Sequence, residues 1–175
     1  NLHSVHKAFE RMALETNAGR VVVTNDPDVV VRADRIVLPG DGAFPACRAA
    51  LRACDVYVAM IEAVEVKARP FLGICVGMQL MANDGYEYKK TPGLGWVDGS
   101  VRHIEPKSQS FKIPHMGWND LVFEVEHPVL RGLKTGDHAY FIHSYHMVMD
   151  QSDQMLAYAD YSGKITAIVG RDTMV

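Results

Sequence analysis

The segment Phe71-Leu72-Gly73-Ile74-Cys75-Val76-Gly77-Met78-Gln79-Leu80 constrains this chain more than any other. It reads as a short apolar strand, then Gly-x-Cys-x-Gly, then a helix. A residue on so sharp a strand-to-helix turn holds a strained backbone and projects its side chain from the C-terminal edge of a sheet. Its neighbours two places away on either side must then be small, and Gly73 and Gly77 fill those places. The turn also suits sulfur chemistry. A helix beginning at Val76 would set its positive end against the thiol, favouring the thiolate, which is the attacking species. The N–H of Val76 would face an oxyanion formed during attack. The plainer alternative is a packed cysteine in a glycine-rich turn. That alternative suits Cys47 and Cys54, which lie on an expected helix without flanking glycines.

The surrounding pattern is strand and helix in alternation. Leu2, Val5, Phe9 and Met12 recur at helical spacing, and Asn17-Ala18-Gly19 closes that helix. Val21-Val22-Val23-Thr24 reads as a strand, and Arg35-Ile36-Val37-Leu38 as a second one. A long helix is expected over residues 45–67, with Ala46, Ala49, Ala50, Ala53, Tyr57, Met60, Ile61 and Val64 as its apolar stripe. Pro45 suits its first turn and Pro70 lies past its end. The third strand covers residues 71–74 and its helix residues 76–83. Beyond these, 96–97, 101–104, 121–125, 140–144, 156–159 and 166–169 read as strands, several joined by short turns. They predict an antiparallel or mixed extension of a parallel α/β sheet. Residues 107–110 read as a mobile loop, and the length fits one domain over 1–175.

A second glycine loop, Pro39-Gly40-Asp41-Gly42, follows the second strand, so it falls at the same sheet edge as Cys75. Its functional reading is a further oxyanion donor; its plain reading is an ordinary strand-to-helix turn. It lacks the Gly-Lys-Ser/Thr ending of a phosphate loop. Charge and composition exclude other classes. A net charge of −3 speaks against nucleic acid or an anionic membrane as partner. No apolar run reaches the ~18 residues of a membrane span. Three cysteines without paired spacing, and no leader-like opening, lead us to expect reduced thiols and a cytoplasmic protein. His143-x-x-His146 has no third ligand at convincing spacing, so no metal is expected.

Taken together, Gly73-Ile74-Cys75-Val76-Gly77-Met78-Gln79 and Pro39-Gly40-Asp41-Gly42 resemble the active-site and oxyanion motifs of class I (triad) glutamine amidotransferases. Ile113-Pro114-His115-Met116-Gly117-Trp118-Asn119, Tyr140-Phe141-Ile142-His143-Ser144-Tyr145 and Asn1-Leu2-His3-Ser4-Val5 resemble, more narrowly, the glutaminase subunits of imidazole glycerol phosphate synthases. The resemblance implies an α/β fold. Its centre would be a flavodoxin-like, mixed but mostly parallel sheet flanked by helices, with antiparallel strands in the C-terminal half. It implies Cys75 as nucleophile toward glutamine, and oxyanion donors from Gly40, Asp41, Gly42 and Val76. Gln79, His143, Ser144 and Tyr145 would hold the substrate. Trp118, Asn119 and Tyr140 would lie toward a (β/α)8 cyclase subunit, the partner in a heterodimer that takes up the ammonia for histidine biosynthesis. No cofactor is implied.

Two departures stand out. Asp41 occupies a place where the family usually has valine. The family's His-Pro-Glu run is absent: His127-Pro128 is followed by Val129. The expectation is a domain cut at both ends, lacking the first strand and the His-Pro-Glu segment, and poorly active as 175 residues alone. Rival readings are a glutaminase serving another synthase, a cysteine hydrolase or chaperone-like protein on the same sheet, and a catalytically dead docking subunit.

Overall fold

The fold is described from a computed structural model, for residues 2–108 and 110–175. Asn1, at the head of one motif, and Gln109, inside the expected 107–110 loop, lie outside the described residues. Helix α1 (Leu2–Thr16) forms where the spacing placed it but buries none of its residues. The expected strand at Val21-Val22-Val23-Thr24 does not form. Among the described residues no strand runs beside it, Val22 and Val23 stay exposed, and β-branched residues without a ladder partner have nothing to pack on. Helix α2 (Pro27–Arg32) follows at once. Asp26 caps it by accepting from the Asp28 N–H, and Pro27 occupies its first turn.

Strand β1 (Ile36–Gly40) runs parallel to β2 (Phe71–Cys75), and the register sets Gly40 beside Cys75. On its other side, β2 meets residues 173–175: the N–H groups of Phe71 and Gly73 donate to the carbonyls of Thr173 and Val175. The single long helix expected over residues 45–67 is three pieces: α3 (Phe44–Ala53), α4 (Val56–Ile61) and a π-helical turn at Glu62–Val66. The break falls at Cys54, whose backbone is extended (φ −86°, ψ 135°). Cysteine and aspartate are poor helix formers, and Cys54-Asp55 interrupts the alanine-rich run. The bend lets Phe44 and Leu51 on one piece, and Met60 and Val64 beyond it, join one core.

Helix α5 (Val76–Gln79) is a single turn, and β3 (Ala82–Gly85) replaces the rest of the helix expected to residue 83. Leu80 and Met81 form a buried turn, and β3 follows with Ala82 and Gly85 buried and Asn83 exposed. Strand neighbours on both of its edges take the backbone hydrogen bonds that a helix would keep within itself. The remaining strands are β4 (Thr91–Pro92), β5 (Val97–His103), β6 (His115–Asp120), β7 (Val122–Phe123), β8 (His138–His143), β9 (Tyr145–Met149), β10 (Met155–Asp160) and β11 (Lys164–Val169). Besides β1–β2, only β3–β5 pairs in parallel among the described residues; the order β4-β3-β5-β9, the β6–β8 ribbon and the order β11-β10-β7 are otherwise antiparallel. The chain is thus α/β with mixed sheets. Its core packs Met81, Val97, Val101 and Met147 behind β2, with Phe71 edge-on to Trp96 at 4.8 Å. The indole N–H of Trp96 donates to Glu65 in the π-helical turn, so even the polar atom of this core ring is satisfied.

Candidate active site

The elbow forms as its glycines require. Cys75 has φ 57° and ψ −118°, a conformation that costs a non-glycine residue on the order of 1–3 kcal/mol. Surrounding contacts hold it there. A Cβ on Gly77 would stand 1.8 Å from the carbonyl oxygen of Leu38 on β1, and one on Gly73 would stand 2.6 Å from the backbone nitrogen of Met78. A Cβ on Gly40 would meet the Gly77 nitrogen at 2.6 Å. These glycines let the end of β1 nest against the turn after β2. The Cys75 side of the turn is open to solvent, while Val76 is buried. The one-turn length of α5 corrects the expected source of activation. No long helix dipole points at the sulfur; what lies beside it is the local set of N–H groups with no carbonyl one turn back, that of Val76 first.

Cys75 opens into a cleft of 420 Å³. Of the residues singled out above, Asp41, Gly42, Val76 and Gln79 line one part of it, and His143, Ser144 and Tyr145 another. Gly40 sits behind this lining as the register partner of Cys75. The structure adds Glu87 and Tyr88, which lie in none of the motifs above, and Pro114 and Ile142, which lie in them without an expected role in the site. Glu87 holds the start of α3 by accepting from the Phe44 N–H at 2.6 Å. Its only sequence signal was a carboxylate set between two tyrosines. A larger hollow of 610 Å³ between Phe123 and Thr135 contains none of these residues.

Asp41 is exposed, and its carbonyl accepts from the Cys47 thiol at 3.5 Å. Burial first, and the charge of Asp41 next, push the Cys47 thiol up, so Cys47 stays a protonated clasp on the glycine loop. Cys54 is half-buried on the bend after α3.

The far wall is held by side chains. Gln79 is buried, and its amide N–H donates to the Tyr145 carbonyl at 3.0 Å. His143 brings its Nδ1 to the same carbonyl at 2.9 Å, and its Nε2 lies 2.9 Å from Nδ1 of His115. Both ring nitrogens of His143 are therefore engaged, which leaves it unfit to stand in as a general base for Cys75. Burial lowers the pKa of His143, and burial followed by the neighbouring His143 takes His115 down to about 4. His146, half-buried with its Nδ1 buried and unpartnered, is likewise lowered by burial first and by His143 next, to about 4.

On the β6–β8 ribbon, alternation separates two faces. His115, Asn119, Phe141 and His143 turn inward. Met116, Trp118, Tyr140 and Ile142 turn outward, exposed by 57%, 72%, 55% and 60%, with Trp118 edge-on to Tyr140 at 5.6 Å. Asn119 is thereby placed opposite to Trp118 and Tyr140: its amide donates to the Asp160 carbonyl and reaches Nε2 of His115.

This combination of a cysteine elbow, a nested glycine loop and a polar cleft agrees with what the chain is similar to. It matches the family described as Glutamine amidotransferase class-I over residues 1–175, and it belongs to that family. It is 64% identical to the imidazole glycerol phosphate synthase subunit HisH of Ruegeria pomeroyi, covering all of this chain and 83% of that protein. The HisH subunits of Cereibacter sphaeroides and Rhodopseudomonas palustris are 60% and 53% identical over the same shares. Among solved structures, a glutamine amidotransferase superposes with a TM-score of 0.68 at 17% identity, over 94% of this chain and 79% of that one. A putative GMP synthase subunit from Thermoplasma acidophilum follows at 0.59 and 18%, over 88% and 67%. These two likenesses speak for the fold.

Proposed function

We propose that this chain carries the glutaminase reaction of an imidazole glycerol phosphate synthase. The Cys75 thiolate attacks the side-chain amide carbon of glutamine, the carbonyl oxygen becomes an oxyanion, and collapse, with a proton delivered to the departing nitrogen by a general acid (the role the resemblance gives to the His-Pro-Glu histidine), expels ammonia to leave a γ-glutamyl thioester. Water then adds to the thioester and releases glutamate. The Val76 N–H and the Gly40-Asp41-Gly42 backbone are the oxyanion donors in this reading. His143, Ser144 and Tyr145, braced by Gln79, form the glutamine pocket. The ammonia passes to a (β/α)8 cyclase subunit seated on the face of Met116, Trp118, Tyr140 and Ile142, a contiguous aromatic and apolar strip of the kind that marks an interface. A cytoplasmic setting goes with this pathway; no helix among the described residues is long and apolar enough to cross a membrane.

The observation that carries the proposal is Cys75 itself, held at positive φ on the elbow and opening into a cleft lined by the amidotransferase motif residues. The test is alkylation of the full-length protein by a diazoketone analogue of glutamine, followed by peptide mapping. One adduct is expected, on Cys75, with Cys47 and Cys54 untouched and glutamine protecting. Labelling that glutamine does not slow would point instead to a cysteine hydrolase of other specificity.

A further inference from the structure

The hydrogen bonds of the far wall can be assigned proton by proton. A carbonyl only accepts, so the contact between His143 Nδ1 and the Tyr145 oxygen requires the proton on Nδ1. A neutral His143 then has a bare Nε2, which must accept, so His115 carries its proton on Nδ1 and donates across the strand pair. The bare Nε2 of His115 in turn accepts from Asn119, whose second amide hydrogen goes to the Asp160 carbonyl while its Oδ1 accepts from the Asp120 N–H. No other distribution leaves every contact with one donor and one acceptor. Protonating either ring would set two donors against each other, and burial already keeps both rings neutral.

The relay ends on a segment that lines the cleft together with Cys75. The Tyr145 carbonyl takes two donors, His143 and Gln79, and the Ser144 carbonyl takes the Ile104 N–H at 2.8 Å. The ring at the centre of the relay, between the Tyr145 carbonyl that fixes the direction at one end and Asn119 at the other, is His115. It lies between Phe141 and Tyr161, stacked at 4.7 Å and 4.1 Å. It has no place in the cleft lining.

We infer that His115 is a positioning residue for the glutamine pocket: its donated hydrogen bond holds His143 as the Nδ1–H tautomer, and that tautomer pins the Ser144-Tyr145 backbone against the cleft. The inference rests on the glutaminase reading above.

The experiment compares His115→Phe, which keeps the stacked ring and removes the donor, with His115→Asn, which keeps a donor near the Nδ1 position. Both are made in the full-length protein together with its cyclase partner. Glutamine turnover gives KM and kcat, and long-range ¹H–¹⁵N correlation gives the tautomer of His143. The expected result is an Nδ1–H His143 in the wild type. In His115→Phe, KM rises roughly tenfold with kcat changed by no more than about twofold, the size of one lost hydrogen bond that leaves its partner unpaired. His115→Asn should recover most of that loss. An Nε2–H His143 in the wild type overturns the inference. So does an unchanged KM in His115→Phe, or a His115→Asn protein as impaired as the phenylalanine variant. A wild type that turns over no glutamine sinks the functional reading instead, and the tautomer measured on that sample still decides the relay.

Discussion

On the elbow side of the cleft, β1, β2 and α5 approach so closely that Gly40, Gly73 and Gly77 leave no room for a methyl group. The opposite wall stands on side-chain hydrogen bonds that run from Asn119 through two histidines to the Tyr145 carbonyl and Gln79. The two walls face one cavity but answer to different physics. Steric nesting is all-or-none and indifferent to pH. A relay of neutral imidazoles is graded, because each proton that enters it breaks a donor–acceptor match.

The heaviest blow to this contrast can be struck at the elbow. Gly77→Ala places a carbon 1.8 Å from the Leu38 oxygen, and the obstacle is backbone rather than a mobile side chain. The expected cost is roughly 3 kcal/mol or more, read as a fall in the urea midpoint, with loss of selective alkylation at Cys75. A variant as stable as the parent would mean that the two loops do not nest.

Acid should separate the walls more gently. His115 has a folded pKa of about 4 against an ordinary value of 6.5, and His146 is lowered to about 4 as well. The unfolded chain therefore binds protons that the folded chain does not. Stability from these groups is fully present above about pH 6.5 and is lost as pH falls through that window toward 4. Amide exchange followed from pH 7 to pH 5 should show β6, β8 and β9 loosening before β1 and β2, and His115→Phe should flatten the dependence. Equal loosening of both walls would count against the distinction.

The mildest change to the folded chain is expected on the outer face of the ribbon. Trp118→Ala removes an exposed ring, so the urea midpoint should move by no more than about 0.5 kcal/mol equivalent. Affinity for the cyclase partner should nonetheless fall by roughly 2 kcal/mol, the loss typical of a central aromatic anchor. A change in stability without a change in affinity would place the ring in the fold rather than at an interface.

The two walls also differed in how much of them could be read in advance. The elbow was legible because its requirement is local: Gly73 and Gly77 stand two places either side of Cys75, and the strained φ follows from that spacing. The fold class was legible from strand–helix alternation. The ends of elements were not. Val21-Val22-Val23-Thr24 has strand chemistry but no neighbour among the described residues, and the helix after Cys75 stops at the buried turn Leu80-Met81 because Ala82–Gly85 finds strand partners in β4 and β5. The relay was hidden for a further reason. His115 and His143 are 28 positions apart, and only the register of β6 against β8 brings Nδ1 of the one to 2.9 Å from Nε2 of the other. Asn119 was read beside Trp118 as a surface residue, and strand alternation alone would have turned it inward. Glu87 emerged only once the cleft had a shape.

The chain has two tryptophans, and their surroundings are opposite: Trp96 is 4% exposed and Trp118 is 72% exposed. The first emits from a dry, rigid site and the second from water, so the ultraviolet fluorescence of the free chain is a blue component and a red component superposed. A partner that covers Trp118 moves only the red one, and Trp118→Phe leaves the blue one alone. The molecule is thereby its own optical gauge, with one indole reporting the integrity of the core and the other the occupancy of the ribbon.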